Sequence, residues 1–349
     1  MYLREFIEDC SARGLTPETI YTYQSNIGRF LEFIDKDPTK AEMSDFRAFL
    51  AHLRTVEYTV GRQKRKGVAS ATLGVYFSSI NSFYDFLVWE KYTQVNLVPQ
   101  FRKRYIRLKL QRNGENTRQL ISIEQMIELL ELCLRQGDIL AWAFIFFAAK
   151  TGLRKGELLA MKVQDLNFEG TFGIPFNQYE SYEHNVYMKA CAIFNVAPKA
   201  KRTNRQGFMD DELVYVMHQY LEWREPRALN TDALWITPNG YPLDKNDPYE
   251  LVTKYASMLG IHDPEGPLNK KFTPHCLRHF FTTWMRRRGM LREFIKELRG
   301  DVRGEAIDFY DHIDLEELRI SYLEHVFKLL KIDTKQSTLI PFSEEIICS

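Results

Sequence analysis

The sequence predicts a mainly helical protein with a small β element, divided into two domains. A length of 349 residues is about twice that of a usual domain, which favours two domains over one. Apolar residues recur three and four positions apart through much of the first hundred residues, as they do on one face of an α-helix. Short apolar runs typical of strands occur only later, so we expect the sheet in the second half.

Three amphipathic segments predict the N-terminal helices. Residues 17–34 carry apolar side chains on one face, and Thr16 followed by Pro17 is typical of a helix start. Similar patterns run through residues 43–54 and 70–90. Because the third segment is rich in aromatic residues at helical spacing, we expect most of these rings to form a helical core rather than to contact a ligand.

Positive charge concentrates in one part of a nearly neutral chain. The sequence has 47 Lys and Arg against 46 Asp and Glu, which excludes a histone-like basic protein. Residues 61–118 hold twelve basic and three acidic residues, whereas residues 1–60 hold seven and ten. Such clusters either bind phosphate or form a solvated face, and two within sixty residues favour phosphate binding. The predicted phosphate-binding residues are Arg62, Lys64, Arg65, Lys66, Arg102, Lys103 and Arg104.

Composition and cysteine usage indicate a cytoplasmic protein. Hydrophobic residues at 45% and charged residues at 27% are ordinary for a globular chain and exclude a disordered or fibrous one. The five cysteines form no CxxC pair, as expected of free thiols in a reducing compartment. The N-terminus does not resemble a signal peptide, and the strongest apolar run, residues 139–149, is too short to span a bilayer. We therefore expect no membrane partner.

The second half follows residues 101–118, a stretch without an apolar period that we interpret as a basic linker. Ser122 with Gln125 three positions later is a capping-box pattern and predicts a new helix. A last amphipathic helix is predicted over residues 315–331. The predicted strands are residues 171–175, 185–197 and 233–236. The predicted division is a helical domain at 1–100, the linker at 101–118, a catalytic domain at 119–332 and a tail at 333–349.

Three short motifs in the second half carry candidate reactive side chains. The run TGLRKGE at 151–157 holds Arg154 and, three residues later, Glu157, for which this spacing indicates a structural ion pair. The run TPHCLRH at 273–279 places His275 and Arg278 three residues apart on one helical face. The run LRGDVRGEAIDFYDH at 298–312 contains Tyr310 near its end.

Together these residue types can perform phosphoryl transfer without a metal ion. Two guanidinium groups can bind the non-bridging oxygens of a phosphodiester and stabilise the additional charge of a pentavalent transition state. A tyrosine becomes a usable nucleophile when cations or a base favour loss of its proton. A lysine can protonate the leaving oxygen. The cysteines and histidines have no spacing that fits a common zinc ligand set, so no metal is expected.

In their order along the chain, these residues resemble the tyrosine recombinase, or phage integrase, family and its Xer-like members. The order is Arg154, a lysine in a basic hairpin, HxxR at 275–278, and Tyr310 at the usual family spacing from Arg278. The segments LTPETIYTYQSNIGRFLEFI and SATLGVYFSSINSFYDFLVWE resemble the family's helical core-binding domain. The resemblance covers roughly residues 1–330.

This resemblance implies a fold as well as a substrate. The implied fold is mainly α with a small antiparallel β-sheet, in which a helical, SAM-like core-binding domain and the catalytic domain form a C-shaped clamp around DNA. The two basic clusters would then contact DNA. Arg154 and Arg278 would bind the scissile phosphate, and His275 would assist proton transfer or hold that phosphate. Tyr310 would attack the phosphate, forming a 3′-phosphotyrosine and releasing a 5′-hydroxyl.

The lysine has two candidates. Residues 197–208, APKAKRTNRQGF, resemble the family's turn between two strands, whose lysine reaches toward the cleavage site. Lys199 and Lys201 are two positions apart, so in a strand they would lie on one face. We prefer Lys199 and keep Lys201 as the alternative. The segment can also contact only the DNA backbone, through Lys201, Arg202 and Arg205.

One position departs from the family pattern. Where the family usually has His or Trp, this chain has Asp301, in the run Arg299-Gly300-Asp301. An aspartate near a phosphate repels it unless a cation such as Arg299, Arg303 or His275 pairs with it. Asp301 is predicted to orient a cation, to accept the tyrosine's proton, or to have a structural role. The variant is similar to sequences of archaeal family members, which favours an archaeal or archaeal-virus origin.

The function implied by the resemblance is site-specific DNA recombination or integration through a covalent 3′-phosphotyrosine, with strand exchange. Because the protein–DNA ester retains the energy of the broken bond, no ATP, metal or other cofactor is expected. The implied partners are double-stranded DNA with inverted-repeat half-sites and further copies of the chain, two per site and four in synapsis. The alternatives are a type IB topoisomerase-like enzyme, against which the N-terminal pattern argues, and a non-catalytic DNA-binding protein, against which the intact catalytic set argues.

Overall fold

A computed structural model gives the fold of the chain in two compact units, Met1–Gln111 and Arg112–Ser349. The structure describes residues 2–60, 63–106, 118–168, 170–171, 174–175, 193–196, 205–301 and 313–330. Each unit has its own hydrophobic core. The prediction of a mainly helical fold with a small antiparallel sheet is confirmed.

Five α-helices and one hairpin are the main elements in the described part of the first unit. The helices are α1 (Tyr2–Ala12), α2 (Pro17–Ile34), α3 (Met43–Thr55), α4 (Ser70–Trp89) and α5 (Val98–Tyr105), and the strands are β1 (Glu57–Val60) and β2 (Gln63–Lys66). The Thr16 hydroxyl accepts a hydrogen bond from the Thr19 backbone N–H, which caps α2 where the sequence predicts its start. The aromatic residues of α4 include Phe77 and Phe83, both fully buried, so the prediction that the rings form a core is confirmed.

The hairpin of β1 and β2 corrects the prediction that strands occur only in the second half. The two strands pair antiparallel, with Thr59 opposite Lys64 and Glu57 opposite Lys66. The signal for these strands is weak because the side chains of Glu57, Thr59, Lys64 and Lys66 are all exposed. A strand pair that does not bury one face lacks the apolar alternation by which strands are identified.

Helix α5 overlaps the start of residues 101–118, which the sequence predicts to be a linker. The helix extends to Tyr105, and Phe101 is buried in the core of the first unit, where its ring stacks on Phe77 at a centroid distance of 5.0 Å. The described start of this segment is therefore an integral part of the first unit. The predicted boundaries of the other segments stay predictions.

The second unit contains eight α-helices in the part of the chain that the structure describes. They are α6 (Ile123–Arg135), α7 (Ile139–Thr151), α8 (Lys155–Ala160), α9 (Asp211–Arg224), α10 (Asp247–Met258), α11 (Pro274–Arg287), α12 (Arg292–Arg299) and α13 (Leu315–His325). The predicted capping box is confirmed, since Ser122 and Gln125 exchange side-chain to backbone hydrogen bonds at the start of α6. Every residue of α7 from Leu140 to Thr151 is buried, so α7 is the central helix of this unit. Among the described residues, no helix combines the length and apolar character needed to cross a membrane.

The strands of the second unit are short and antiparallel. They are β3 (Leu166–Asn167), β4 (Gly170–Thr171), β5 (Ile174–Pro175), β6 (Ile193–Val196) and β7 (Arg205–Phe208). One sheet has the order β3-β6-β7, and β4 pairs with β5. The strand predicted at 233–236 is wrong: Ala233 and Ile236 form only isolated bridges. This run is apolar because Leu234 and Trp235 are buried in the helical core, not because it belongs to a sheet.

A buried lysine joins α7 to two distant segments. The Lys150 ammonium group is fully buried and lies 2.6 Å from Asp210 Oδ2 and 2.7 Å from Glu212 Oε2, and it donates to the Phe327 carbonyl at 2.6 Å. Burial alone would raise the pKa of Asp210, but the positive charges of Lys150 and Lys328 hold it below its usual range. The charged groups of Lys150, Asp210 and Glu212 are therefore all paired, as burial of a charge requires.

This network also explains why α13 is shorter than predicted. The prediction of a helix over 315–331 is wrong at its end, because α13 stops at His325 and Val326 has an extended backbone. Glu212 accepts hydrogen bonds from the backbone N–H groups of Leu329 and Leu330. The apolar residues after His325 are therefore buried by an extended segment and not by another helical turn.

Replacing Lys150 by methionine should destabilise the second unit by about 3–5 kcal/mol, because two buried carboxylates lose the buried ammonium group that pairs with both. The measurement is urea unfolding followed by tryptophan fluorescence, to which the buried Trp142 and Trp235 of this unit contribute. The matched control is Lys162→Met, which removes an exposed ion pair with Asp232 and should leave the midpoint almost unchanged. Equal midpoints for the two variants would contradict a stabilising role for the buried network.

Candidate active site

Arg154 is positioned by the end of α7. The helix terminates at Gly152, whose φ of 63° is in the left-handed region, and a Cβ at this position would lie 2.7 Å from Cγ of Phe281. Phe281 belongs to α11, so glycine allows α7 and α11 to approach closely. Arg154 follows two residues later as the N-cap of α8, where its backbone N–H donates to Glu157 Oε2 at 2.8 Å.

Arg278 lies in the interior and links three segments. Its side chain is only 3% exposed. Its Nη1 atom donates to the Gly152 carbonyl at 2.7 Å, and its Nη2 atom donates to the Arg299 carbonyl at 3.0 Å. The end of α7, the middle of α11 and the end of α12 are therefore joined through one guanidinium group.

Asp301 lies between the two arginines. Its Oδ1 atom accepts from Nη2 of Arg154 and from Nη2 of Arg278, each at 2.7 Å. Its Oδ2 atom lies 3.3 Å from Nη1 of Arg299. Arg299 is one of the partners predicted for Asp301, and this ion pair is present. His275 is another predicted partner, but it is not among the hydrogen-bond partners of Asp301 within the described residues.

Glu157 completes the set of charges. Its side chain is buried, and its Oε1 atom accepts from Nη1 of Arg154 at 3.2 Å. The Nη1 atom also donates to the carbonyls of Arg299 and Gly300, at 2.8 and 3.2 Å. Hydrogen bonds on both sides hold the Arg154 guanidinium in place.

The crowding of positive charge changes the acidity of the arginines. Burial, together with the neighbouring charges of Arg299 and Arg154, lowers the pKa of Arg278 to about 9, although Asp301 opposes this shift. Burial also lowers the pKa of Arg299, against the effect of Asp301. An anion between these guanidinium groups is therefore favoured, and Asp301 supplies one in the structure.

His275 lies one turn before Arg278 on α11 and is partly exposed. Partial burial, followed by the positive charge of Arg118 and the proximity of His279, lowers the pKa of His275 to about 4. The His275 and His279 rings lie 5.1 Å apart between centroids. The imidazole of His275 is consequently neutral at pH 7 and can accept a proton.

Several predicted site residues lie outside the described residues. These are Tyr310, Lys199, Lys201, Arg202 and Arg62. Arg205 belongs to β7, but its side chain is also outside them. The structure thus joins Arg154, Arg278 and Asp301 of the predicted catalytic set by hydrogen bonds, and His275 lies one turn before Arg278 on α11. The carbonyl acceptors at Gly152 and Arg299 are not among the predicted site groups, although a glycine after a helix, at 152 and 300, is the signal for such a chain turn.

The described basic residues of the first unit lie on two elements. Lys64 and Lys66 are exposed, and they lie on one face of the hairpin because they are two positions apart on β2. Neither makes an ion pair in the described part of the chain. On α5, Lys103 and Arg104 are exposed, whereas Arg102 is half-buried and donates to the Ser78 hydroxyl at 3.0 Å. Arg65 is exposed on the opposite face of the hairpin from Lys64.

Comparison with known proteins gives consistent matches over both units. A model of the phage integrase family matches residues 119–317, and a model of the phage integrase N-terminal SAM-like domain matches residues 2–94. Tyrosine recombinase XerD of Staphylococcus epidermidis is 21% identical over 322 residues, covering 89% of this chain and 93% of that protein. Tyrosine recombinase XerA of Saccharolobus solfataricus is 23% identical over 321 residues, covering 91% and 90%. These relatives are bacterial and archaeal, so the predicted archaeal origin stays a prediction.

The fold is also similar to that of solved structures. A lambda integrase dimer bound to a COC′ core site has a TM-score of 0.60 and 14% identity, covering 90% of this chain and 98% of that one. At this level of identity the likeness concerns the fold alone.

Replacing Gly152 by alanine should destabilise the second unit by about 2 kcal/mol or more, because the side chain combines an unfavourable φ with a clash against Phe281. The measurement is urea unfolding followed by tryptophan fluorescence. Gly156→Ala is the matched control, since Gly156 is helical and a Cβ there meets no atom within 4 Å. This control should be neutral or slightly stabilising. A neutral Gly152→Ala would show that the approach of α7 and α11 does not depend on this glycine.

Proposed function

The chain belongs to the phage integrase family of tyrosine recombinases, and on that basis we propose that it is a site-specific recombinase that cleaves and rejoins DNA. One observation carries the proposal: the Nη2 atoms of Arg154 and Arg278 both lie 2.7 Å from a single carboxylate oxygen. Two guanidiniums that converge in this way can bind the non-bridging oxygens of one phosphodiester. They also stabilise the extra negative charge of the transition state. This stabilisation is expected to be the largest contribution of such a site to the reaction rate.

In the proposed cleavage step, Tyr310 attacks the scissile phosphorus. A bond forms between the phenolic oxygen and phosphorus, and the bond from phosphorus to the 5′-oxygen breaks. The imidazole of His275, which its lowered pKa keeps neutral at pH 7, accepts the phenolic proton. Lys199, or alternatively Lys201, protonates the leaving 5′-oxygen. The products are a 3′-phosphotyrosine and a free 5′-hydroxyl.

Rejoining reverses these steps with a 5′-hydroxyl from the partner strand. The number of phosphoester bonds does not change, so strand exchange requires neither a nucleotide cofactor nor an external energy source. Lambda integrase binds its core site as a dimer. For this chain we extend that arrangement to two copies on inverted-repeat half-sites and four copies in synapsis, since a two-fold symmetric protein pair matches a palindromic site.

The basic residues of the first unit are proposed to contact the DNA backbone. Lys64 and Lys66 project from one face of a hairpin, so their ammonium groups can reach neighbouring phosphates. Their local environment supports this role, because neither charge is neutralised by an ion pair within the described residues. Arg102, Lys103 and Arg104 form a second group on α5.

A covalent adduct tests the catalytic proposal. Duplexes selected for binding to the full chain are nicked near the cleavage position, so that the released fragment diffuses away, and are incubated with EDTA and without ATP. The wild-type chain should form an SDS-resistant protein–DNA adduct. Tyr310→Phe should bind the same DNA without forming an adduct. Tyr241→Phe, which alters an exposed tyrosine of the same unit, is the control and should retain the adduct.

Three other outcomes separate the remaining functions. DNA binding by the wild type without any adduct indicates a non-catalytic DNA-binding protein. An adduct that persists in Tyr310→Phe assigns the nucleophile to another residue. Adduct formation without strand transfer between two duplexes indicates a nicking-closing enzyme.

The salt dependence of DNA binding tests the hairpin. Each phosphate contact contributes a slope of about −0.9 to the plot of log K against log salt. Lys64→Ala combined with Lys66→Ala should therefore reduce the slope by about two and weaken binding equally for all sequences. The control is Arg4→Ala with Arg13→Ala, which removes two positive charges, one in α1 and one just after it, that are already paired with Glu8 and Asp9. An unchanged slope in the hairpin variant would exclude the hairpin from the DNA interface.

A further inference from the structure

We propose that the Asp301 carboxylate occupies the oxyanion position between Arg154 and Arg278 when DNA is absent, and that the scissile phosphate displaces it. The inference rests on the proposed function, because it concerns the same pair of arginines. It gives Asp301 a role as an internal competitor of the substrate phosphate, distinct from proton transfer.

The hydrogen-bond geometry is the first argument. Both protons of Arg278 Nη2 are in use, one on the Arg299 carbonyl and one on Asp301 Oδ1. Nη2 of Arg154 donates to that same Oδ1 atom. A phosphate oxygen that binds both Nη2 atoms needs the place that Oδ1 holds. The carboxylate and the phosphate therefore cannot make these hydrogen bonds together.

Charge is the second argument. Arg154, Arg278 and Arg299 carry three positive charges, and Glu157 and Asp301 carry two negative charges, so the cluster has one net positive charge. In the absence of DNA, Asp301 offsets the repulsion between guanidiniums that are partly or wholly buried. A phosphodiester carries the same single negative charge as this carboxylate and can replace it on the arginine pair.

The position of Asp301 allows such an exchange. Its side chain is 27% exposed, whereas those of Arg278 and Glu157 are 3% exposed. Its backbone is fixed, because Gly300 ends α12 in the left-handed region and the Asp301 N–H donates to the Lys296 carbonyl at 3.0 Å. Displacement is therefore a side-chain rotation and not a movement of the chain.

Arg299 provides the partner for the displaced carboxylate. Its Nη1 atom already lies 3.3 Å from Oδ2, the oxygen that does not contact the other two arginines. A carboxylate that rotates away from Arg154 and Arg278 can keep this ion pair. No charge is then left unpaired, which lowers the free-energy cost of the exchange.

A purely positioning role makes the opposite prediction. If Asp301 only holds the two guanidiniums in place, its removal disorders them and weakens the binding of an oxyanion. If Asp301 competes with the phosphate, its removal strengthens that binding. The sign of the change therefore decides between the two roles.

The test is inorganic phosphate binding to the full chain, without DNA, measured by isothermal titration and by the shift of the melting temperature. Sodium chloride at matched ionic strength corrects for screening. Asp301→Asn should bind phosphate at least tenfold more tightly than the wild type. Asp232→Asn is the matched control, because it removes one carboxylate from an exposed ion pair with Lys162, and it should bind phosphate like the wild type. Equal or weaker phosphate binding by Asp301→Asn would overturn the proposal.

The variant remains informative if loss of the carboxylate destabilises the fold. In that case phosphate, but not chloride, should restore the melting temperature of Asp301→Asn toward that of the wild type. Failure of phosphate to restore it would contradict the competitor role. The measurement involves neither DNA nor Tyr310, so its failure is distinct from the absence of a covalent adduct, which bears on the recombinase proposal.

Discussion

The buried guanidinium of Arg278 is the constraint on which the rest of the candidate active site depends. A charge removed from water must be hydrogen-bonded and neutralised where it lies. Arg278 meets this requirement with the carbonyls of Gly152 and Arg299 and the carboxylate of Asp301. These groups come from the ends of α7 and α12. The hydrogen bonds of the Arg278 side chain therefore fix the positions of both helix ends. Arg154 follows Gly152 by two residues and so reaches the same carboxylate.

A second buried cation extends this constraint to the C-terminal part of the chain. Lys150, in the last turn of α7, holds the Phe327 carbonyl, and the Tyr322 hydroxyl of α13 donates to the Lys150 carbonyl. The helix end that presents Arg154 is therefore also the anchor for α13 and the segment after it. Residues on both sides of Tyr310 in the sequence, Asp301 and Phe327, are thus tied to the same region.

The sequence predicts those features that local patterns carry. Helices follow from apolar spacing and caps such as Ser122 with Gln125, and the motifs identify Arg154, His275 and Arg278.

Features that depend on distant partners could not be predicted. Lys150 follows an apolar run and looks like an ordinary basic residue in a last helical turn, because its partners near residues 210 and 327 are remote in sequence. The partners of Asp301 show the same limit: Arg299 is two residues away and is among the partners that the sequence predicts, whereas Arg154 and Arg278 are not. The exposed hairpin of β1 and β2 lacks the alternation of a half-buried strand, and the run at 233–236 owes its apolar character to burial outside a sheet.

The most direct test of this account is a crystal structure of the full-length Tyr310→Phe chain bound to a duplex that contains its own recombination site. The account predicts that non-bridging oxygens of the scissile phosphate lie about 3 Å from Nη2 of Arg154 and of Arg278. It also predicts that the Asp301 carboxylate has turned away from both and remains paired with Arg299. A scissile phosphate bound elsewhere, with Asp301 still between the two arginines, would contradict the assignment of this cluster as the phosphate site.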